Sequence, residues 1–282
     1  MKQVYFFGGG KADGTAQDKN LLGGKGANLA EMTNLGIPVP PGFTISTKVC
    51  TNFMDVGEFS HHLKIEVQNA LEEIEKIMGQ IFGDPENPLL VSVRSGSRQS
   101  MPGMMETVLN VGLTSETIPG LIEKSGDERF VYDAYRRLIT MYANVVIEKS
   151  AGIEPKEGEG IREKLDGIMN KMKSQQRVEN DSELSGESLK ELCVLFKAEI
   201  VNTLGEEFHD DPHTQLWGGI TAVFKSWNGK RAVSYRNIEN IPHHWGTAVN
   251  IQAMVFGNMG DNCATGVAFT RNPATGENVF FG

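Results

Sequence analysis

At 282 residues, with 39% hydrophobic and 22% charged side chains, the chain has the make-up of a folded globular protein and exceeds what one core usually organises, so two or three units sharing interfaces are expected. That composition excludes a disordered, collagen-like or membrane-embedded chain. A net charge of −9 without any cluster of Lys and Arg excludes nucleic acid as a partner, so any anionic ligand has to be held by local groups.

Residues 4–7 read as a short apolar strand, followed at once by Gly8-Gly9-Gly10, with no long apolar run and no Arg/Ser-rich leader; the cytoplasm is the expected compartment. Gly23-Gly24-Lys25-Gly26 then leads into a helix that runs to Gly36 and is stopped by Pro38. Small residues at the mouth of a helix admit a close oxygen, the free amides point outward and the lysine adds charge, which is the chemistry of a phosphate site. A plain glycine-rich helix start is the alternative. The spacing is not that of a Walker A loop, because Lys19 stands where the first glycine belongs and Gly26 where a Ser or Thr belongs. Behind the Pro40-Pro41-Gly42 turn, Phe43 and Ile45 alternate with Thr44 and Ser46 as in a strand. Leu63, Val67, Ala70, Leu71, Ile74, Ile77 and Met78 recur at helical spacing, and residues 83–88 end that helix.

Residues 89–93 read as a buried strand that delivers Arg94 into a turn of Ser95-Gly96-Ser97. A strand interior disfavours a charge without a partner, so Arg94 is a candidate anion ligand; a structural salt bridge is the alternative. In the loop Ser100-Met101-Pro102-Gly103-Met104-Met105-Glu106-Thr107, Gly103 permits close backbone approach, while the methionines either cover a flat ring or fill a core. From about 127 to 204 the period is helical, through Phe130, Leu138 and Tyr142, then Leu165 and Met172, then Leu192 and Phe196. This reads as an inserted helical unit with joints at 154–160 and 174–186. Leu216, Ile220, Val223 and Trp227 begin another helix and residues 232–236 a strand. From Thr247 the period is two, which predicts the start of a second sheet. The strand edge at Gln252-Ala253-Met254-Val255 would offer a backbone carbonyl and amide to an adenine edge while Met254 packs on the ring. Residues 265–271 predict the next strand, turning through Asn272-Pro273-Ala274-Thr275-Gly276 into a returning strand at 279–281. The sequence stops inside that strand, which predicts a fragment. Cys50, Cys193 and Cys263 are far apart and outside any C-x-x-C spacing, so buried free thiols in a reducing compartment are expected. The six histidines lack metal-site spacing, and no nucleophile motif is present.

Residues 21–32, the run V-S-V-R-S-G-S-R-Q-S-M-P-G-M-M-E-T at 91–107, and G-V-A-F-T-R-N-P-A-T-G-E at 266–277 together resemble the pyruvate, phosphate dikinase family, over essentially the whole chain and in order. The S-M-P-G-M-M-E-T loop separates it from the related phosphoenolpyruvate synthases. The resemblance implies an α+β fold of ATP-grasp type, two lobes closing over ATP with a helical insertion between them. On this chain the first lobe would cover 1–112 and return at 205–244, the insertion 113–204, and an incomplete second lobe 245–282. A swivelling phosphohistidine domain and a barrel binding phosphoenolpyruvate or pyruvate with a divalent metal would lie outside it. The implied reaction interconverts ATP, pyruvate and phosphate with AMP, phosphoenolpyruvate and pyrophosphate in a cytoplasmic, homodimeric parent. Lys25 and Arg94 match the family's phosphate-binding cations, and Gly103 and Met105 fall in its phosphate loop. Gln252, Met254 and Val255 match the strand facing adenine, and Thr265 approaches the nucleotide. The acidic Mg2+ ligands would lie past Gly282, so the chain alone is expected to bind nucleotide without turnover. The alternatives are a nucleotide-binding module and a phosphoenolpyruvate synthase-like kinase.

Overall fold

The computed structural model describes residues 2–260 and 262–282. In order come β1 (Val4–Gly8), β2 (Lys11–Ala12), α1 (Lys19–Asn34), β3 (Gly42–Ile45), α2 (Thr47–Val56), α3 (His61–Met78), β4 (Val91–Ser97) and β5 (Thr107–Val111). They are followed by α4 (Ile118–Ser125), α5 (Glu128–Tyr142), a π-helical stretch (Ala143–Lys149), α6 (Ile161–Gln176), α7 (Gly186–Leu204), α8 (Pro212–Ser226), α9 (Lys230–Ile238) and β6 (Thr247–Ala253). Helix starts carry the expected caps: the side chains of Ser60, Asp127, Ser185 and Asp211 accept backbone N–H groups at the starts of α3, α5, α7 and α8. The architecture is α+β.

The strands form one antiparallel sheet in the order β2-β1-β3-β6-β4-β5. β6 runs through its middle, paired with β3 from Gly42↔Gln252 to Ile45↔Val249 and with β4 from Val91↔Ala253 to Ser97↔Thr247. Thr247 therefore opens no second sheet, contrary to the sequence reading, and a boundary at 245 would cut the first sheet through its centre. The reason is that every residue of β6 is buried. Alternation on a strand covered on both faces separates an apolar face from a polar interior face, and looks in sequence like a strand with one face in water.

The register makes the two faces explicit. Phe43, Ile251 and Val93 line up on one, where Gly219 of α8 packs against Val93. Those three side chains are fully buried, and each is worth about 1.5–3 kcal/mol of transfer free energy, so this face fixes the strand register. On the other face Thr44, Asn250 and Arg94 line up, with Gln252 beside them, and α1 lies across β4 and β6. The helices from α5 to α7 pack on one another as the spacing predicts, but their buried side chains belong to one continuous core with the sheet.

Three local readings need correction. Residues 232–236 are helical, inside α9, because Ala232 and Arg236 are buried at a spacing of four. Ser95-Gly96-Ser97 continue β4 as strand, held by pairing with β6. Residues 265–282 form no ladder: a single antiparallel bridge joins Phe269 and Phe281 across the turn at 272–276. Cys50 and Cys193 are buried free thiols, pushed up by burial to about 11 and about 12, whereas Cys263 is half-buried. Among the described residues, no helix is long and apolar enough to cross a membrane.

Candidate functional site

Inside α1, Gly23 takes φ 69° and ψ 173°, a conformation reserved for glycine, so the helix restarts at Gly24. A Cβ on Gly23 would lie 1.7 Å from the Gly96 carbonyl oxygen, and one on Gly26 would lie 2.7 Å from Thr44 Oγ1 and 2.9 Å from Asn250 Oδ1. Absence of side chains at these two positions lets the start of the helix rest on the end of β4 and on the polar face of the sheet. Lys25 is thereby set near the Arg94 guanidinium. Its pKa is lowered, first by burial around the ammonium and then by the Arg94 guanidinium, although much of the side chain is exposed.

Arg94 is half-buried at the middle of β4, and its Nη2 donates to Gln252 Oε1. The Gln252 amide is oriented by its own Nε2, which donates to Pro40 O at 3.0 Å. Arg94 Nε is buried with no hydrogen-bond partner, and Arg94 makes no ion pair among the described residues; burial pushes its pKa down. Arg98, one residue past β4, repeats the pattern: Nε is buried without a partner, the pKa is lowered by burial, and the guanidinium lies over Trp245. Asn250 Oδ1 accepts from Thr44 Oγ1 at 2.8 Å while its Nδ2 is also left without a partner. Orphaned buried donors each cost about 1–3 kcal/mol unless something accepts from them, so Arg94 and its register partner Asn250, with Arg98 just past the same strand, make this end of the sheet the candidate anion site.

Sequence reasoning missed Arg98 and Asn250. The signal was present: Arg94 and Arg98 are four apart, hence on one face if the strand runs through Ser97, but the Ser-Gly-Ser run reads as a turn.

The remaining candidates lie farther along the same face. Met105, Met254, Val255 and Thr265 line a cavity of about 940 Å³ together with Phe130 and Phe256, whose rings meet edge to face at 5.1 Å. Lys25, Arg94 and Gln252 are outside that lining, and Gln252 connects the two groups, two residues before Met254. Gly103 sits in the loop between them at φ +73°, with nothing within 4 Å of where a Cβ would be. The expected free backbone edge at 252–254 is not there. The Ala253 and Met254 N–H groups donate to Pro41 O and Leu90 O, because β6 is central, and the ladder ends only before Val255. Thr265 is exposed and faces Gly257, where a Cβ would come within 1.8 Å of its Oγ1.

Charge pairing distinguishes the cations of the cavity wall from Lys25, Arg94 and Arg98. Asp133 pairs with both Arg136 and Arg137, Asp181 with Arg136 and Lys173, and Lys149 with Glu106. Lys25, Arg94 and Arg98 have no such carboxylate among the described residues. No group of three or more His, Cys, Asp or Glu side chains among the described residues is placed to hold a metal ion.

The family model described as pyruvate phosphate dikinase, AMP/ATP-binding domain matches residues 19–73 and 57–281. All of the chain aligns with the pyruvate, phosphate dikinase of Rhizobium meliloti (strain 1021) at 49% identity, covering 30% of that protein, and with that of Clostridium symbiosum at 47%, covering 31%. The chloroplastic pyruvate, phosphate dikinase of Mesembryanthemum crystallinum is 50% identical over the whole chain, which covers 29% of it. The chain therefore spans about 30% of the length of these curated relatives.

Proposed function

The chain belongs to the pyruvate phosphate dikinase AMP/ATP-binding domain family, and on that premise we propose that it binds ATP with its phosphates against Lys25, Arg94 and Arg98 and its base toward Met254 and Val255. The observation that carries this reading is a set of three cations without carboxylate partners, two of them with orphaned Nε–H donors, at a glycine-lined helix start in a chain of net charge −9. Such a cluster repels itself unless an anion joins it, and a polyphosphate offers acceptor oxygens to fork-shaped and point-charge donors alike. Gly103 and Met105 close the phosphate end in this reading, Gln252 aims Arg94, and Thr265 approaches the nucleotide from the loop beyond Gly257.

In a longer parent, these groups would position the triphosphate for transfer of the β-phosphoryl group to a histidine on another domain, with phosphate accepting the γ-phosphoryl and AMP and pyrophosphate released. The contribution of this chain to that reaction is charge neutralisation and alignment. Mg2+ would enter with ATP, held by groups other than those described here, and a cytoplasmic homodimer with a pyruvate-binding barrel completes the proposed setting. An ATP-grasp arrangement is part of the same reading, with β6 counted in the first sheet. Binding without turnover by this chain alone is part of the same reading, because the histidine that accepts the phosphoryl group would lie on another domain.

Calorimetric titration of the chain with ATP, with and without Mg2+, tests the proposal. Saturable binding that is lost in the double variant K25M/R94Q is expected; equal binding by that variant would refute the phosphate assignment.

A further inference from the structure

We propose that Trp245 is a positioning residue of this site, a flat platform that holds the Arg98 guanidinium ready for the phosphates of a nucleoside triphosphate or for pyrophosphate. The inference rests on the nucleotide reading above. Its geometry follows from strand register. Ser97 at the end of β4 pairs with Thr247 at the start of β6, so in an antiparallel pair Arg98 meets the residues just before Thr247, namely Trp245 and Gly246. The guanidinium carbon lies 5.1 Å from the centre of the indole. Gly246, at φ +65°, is pressed against α2, where a Cβ would come 3.1 Å from Thr47 O and 3.3 Å from Cys50 Cβ.

The short turn that carries Trp245 is clamped from behind. Trp227 Nε1 donates to His243 O at 2.8 Å, and Arg236, only 1% exposed, donates through Nε and Nη2 to His243 Nδ1 at 3.1 and 2.9 Å. Arg236 also donates to Trp227 O and stacks over the Trp227 ring at 4.1 Å. His243 Nε2 then bonds Asn237 Oδ1 at 3.0 Å, so both imidazole nitrogens are engaged.

An aromatic face does what a carboxylate could not. An acid beside Arg98 would fix the guanidinium by occupying its N–H fork and cancelling its charge, whereas an indole holds the plane by its quadrupole and leaves the N–H edges and the charge available to an anion. Arg98 indeed has no hydrogen bond or ion pair to a side chain among the described residues, and its Nε is orphaned.

The experiment is a double-mutant cycle in the 282-residue chain, with ATP and inorganic pyrophosphate as probes and melting temperature recorded in parallel. R98Q and W245L are each expected to weaken binding of both probes about ten-fold, W245F to stay within about three-fold, and W245L/R98Q to bind no more than about two-fold more weakly than R98Q. Rescue by phenylalanine together with non-additivity distinguishes a platform from a merely structural residue. Unchanged affinity in W245L, or a double variant whose loss is the product of the two single losses, overturns the platform while leaving ATP binding in place. Failure of the unmodified chain to bind either probe overturns both the platform and the nucleotide reading.

Discussion

Lys25 and Arg94 face one another without a counter-charge, and the consequence is a pH dependence of opposite sign for stability and for binding. Burial and Arg94 lower the Lys25 pKa from its ordinary 10.5. Between that lowered value and 10.5 the unfolded chain holds the proton that the folded chain has lost, so the Lys25 contribution to stability rises with pH across the window. If Lys25 holds phosphate as proposed, affinity for ATP goes the other way, falling as pH rises through the lowered pKa, because the neutral amine no longer attracts the anion. K25M is therefore expected to flatten the alkaline limb of the ATP dissociation constant while costing about ten-fold or more in affinity near neutral pH. Titrations at a series of pH values check this; an alkaline limb that persists in K25M would place the titrating group elsewhere. R94K keeps the charge but loses the fork that reaches Gln252 and an anion together, and a loss of about 1.5–3 kcal/mol in ATP binding is expected. Retention of full affinity would mean that Arg94 acts as a point charge alone. Lys25 and Arg94 were legible in the sequence because a cation among glycines and a cation on an apolar strand each stand out by type. Arg98 and Asn250 were not, since their significance lies in buried donors that only the packing leaves without partners.

Elements here are positioned by what glycine omits. Gly23 combines a glycine-only backbone with a carbonyl 1.7 Å from any Cβ, so G23A is expected to lose about 3 kcal/mol or more of stability, read by denaturant unfolding. An unchanged midpoint would mean that α1 can shift off β4. Gly103 differs: its φ of +73° is left-handed, but no atom crowds it. Asparagine tolerates that conformation, so G103N is expected to move the melting temperature by less than about 2 °C; if phosphate approaches the backbone there, as proposed, it should also weaken ATP about five-fold. Equal losses of stability and affinity would make Gly103 purely structural. Helices α1, α3 and α5 to α8, with β1, β3 and the start of β4, were readable from spacing, because local periodicity reports local burial; α9 was not, since its buried Ala232 and Arg236 are too few to set a period. The place of β6 was not, since it depends on covering by α1 on one face and α8 on the other, which no local pattern states.

For the molecule as a whole, the residues from β6 onward divide into a part that stabilises and a part that is largely exposed. β6 contributes Val249 and Ile251, both fully buried, and hydrogen-bonds to β3 on one side and β4 on the other. Burial of those two side chains alone is worth about 3–6 kcal/mol, a large share of the roughly 5–15 kcal/mol that holds a typical domain folded. Phe256 adds an edge contact with Phe130. Residues 262–282, by contrast, are almost all exposed: Val267 is 72% and Phe280 89% accessible, and one bridge joins the segment to itself. A chain ending at Gly246 is therefore expected to be unfolded by circular dichroism, whereas one ending at Gly260 should melt within about 3 °C of the full sequence. The second truncation also removes Thr265 from the cavity wall beside Met254 and Val255. If the base of ATP lies there, affinity for ATP should fall in the Gly260 chain while affinity for pyrophosphate, which reaches only Lys25, Arg94 and Arg98, stays the same. Parallel loss of both ligands would instead show that the last segment supports the cationic cluster, and undiminished ATP binding would move the base away from this cavity.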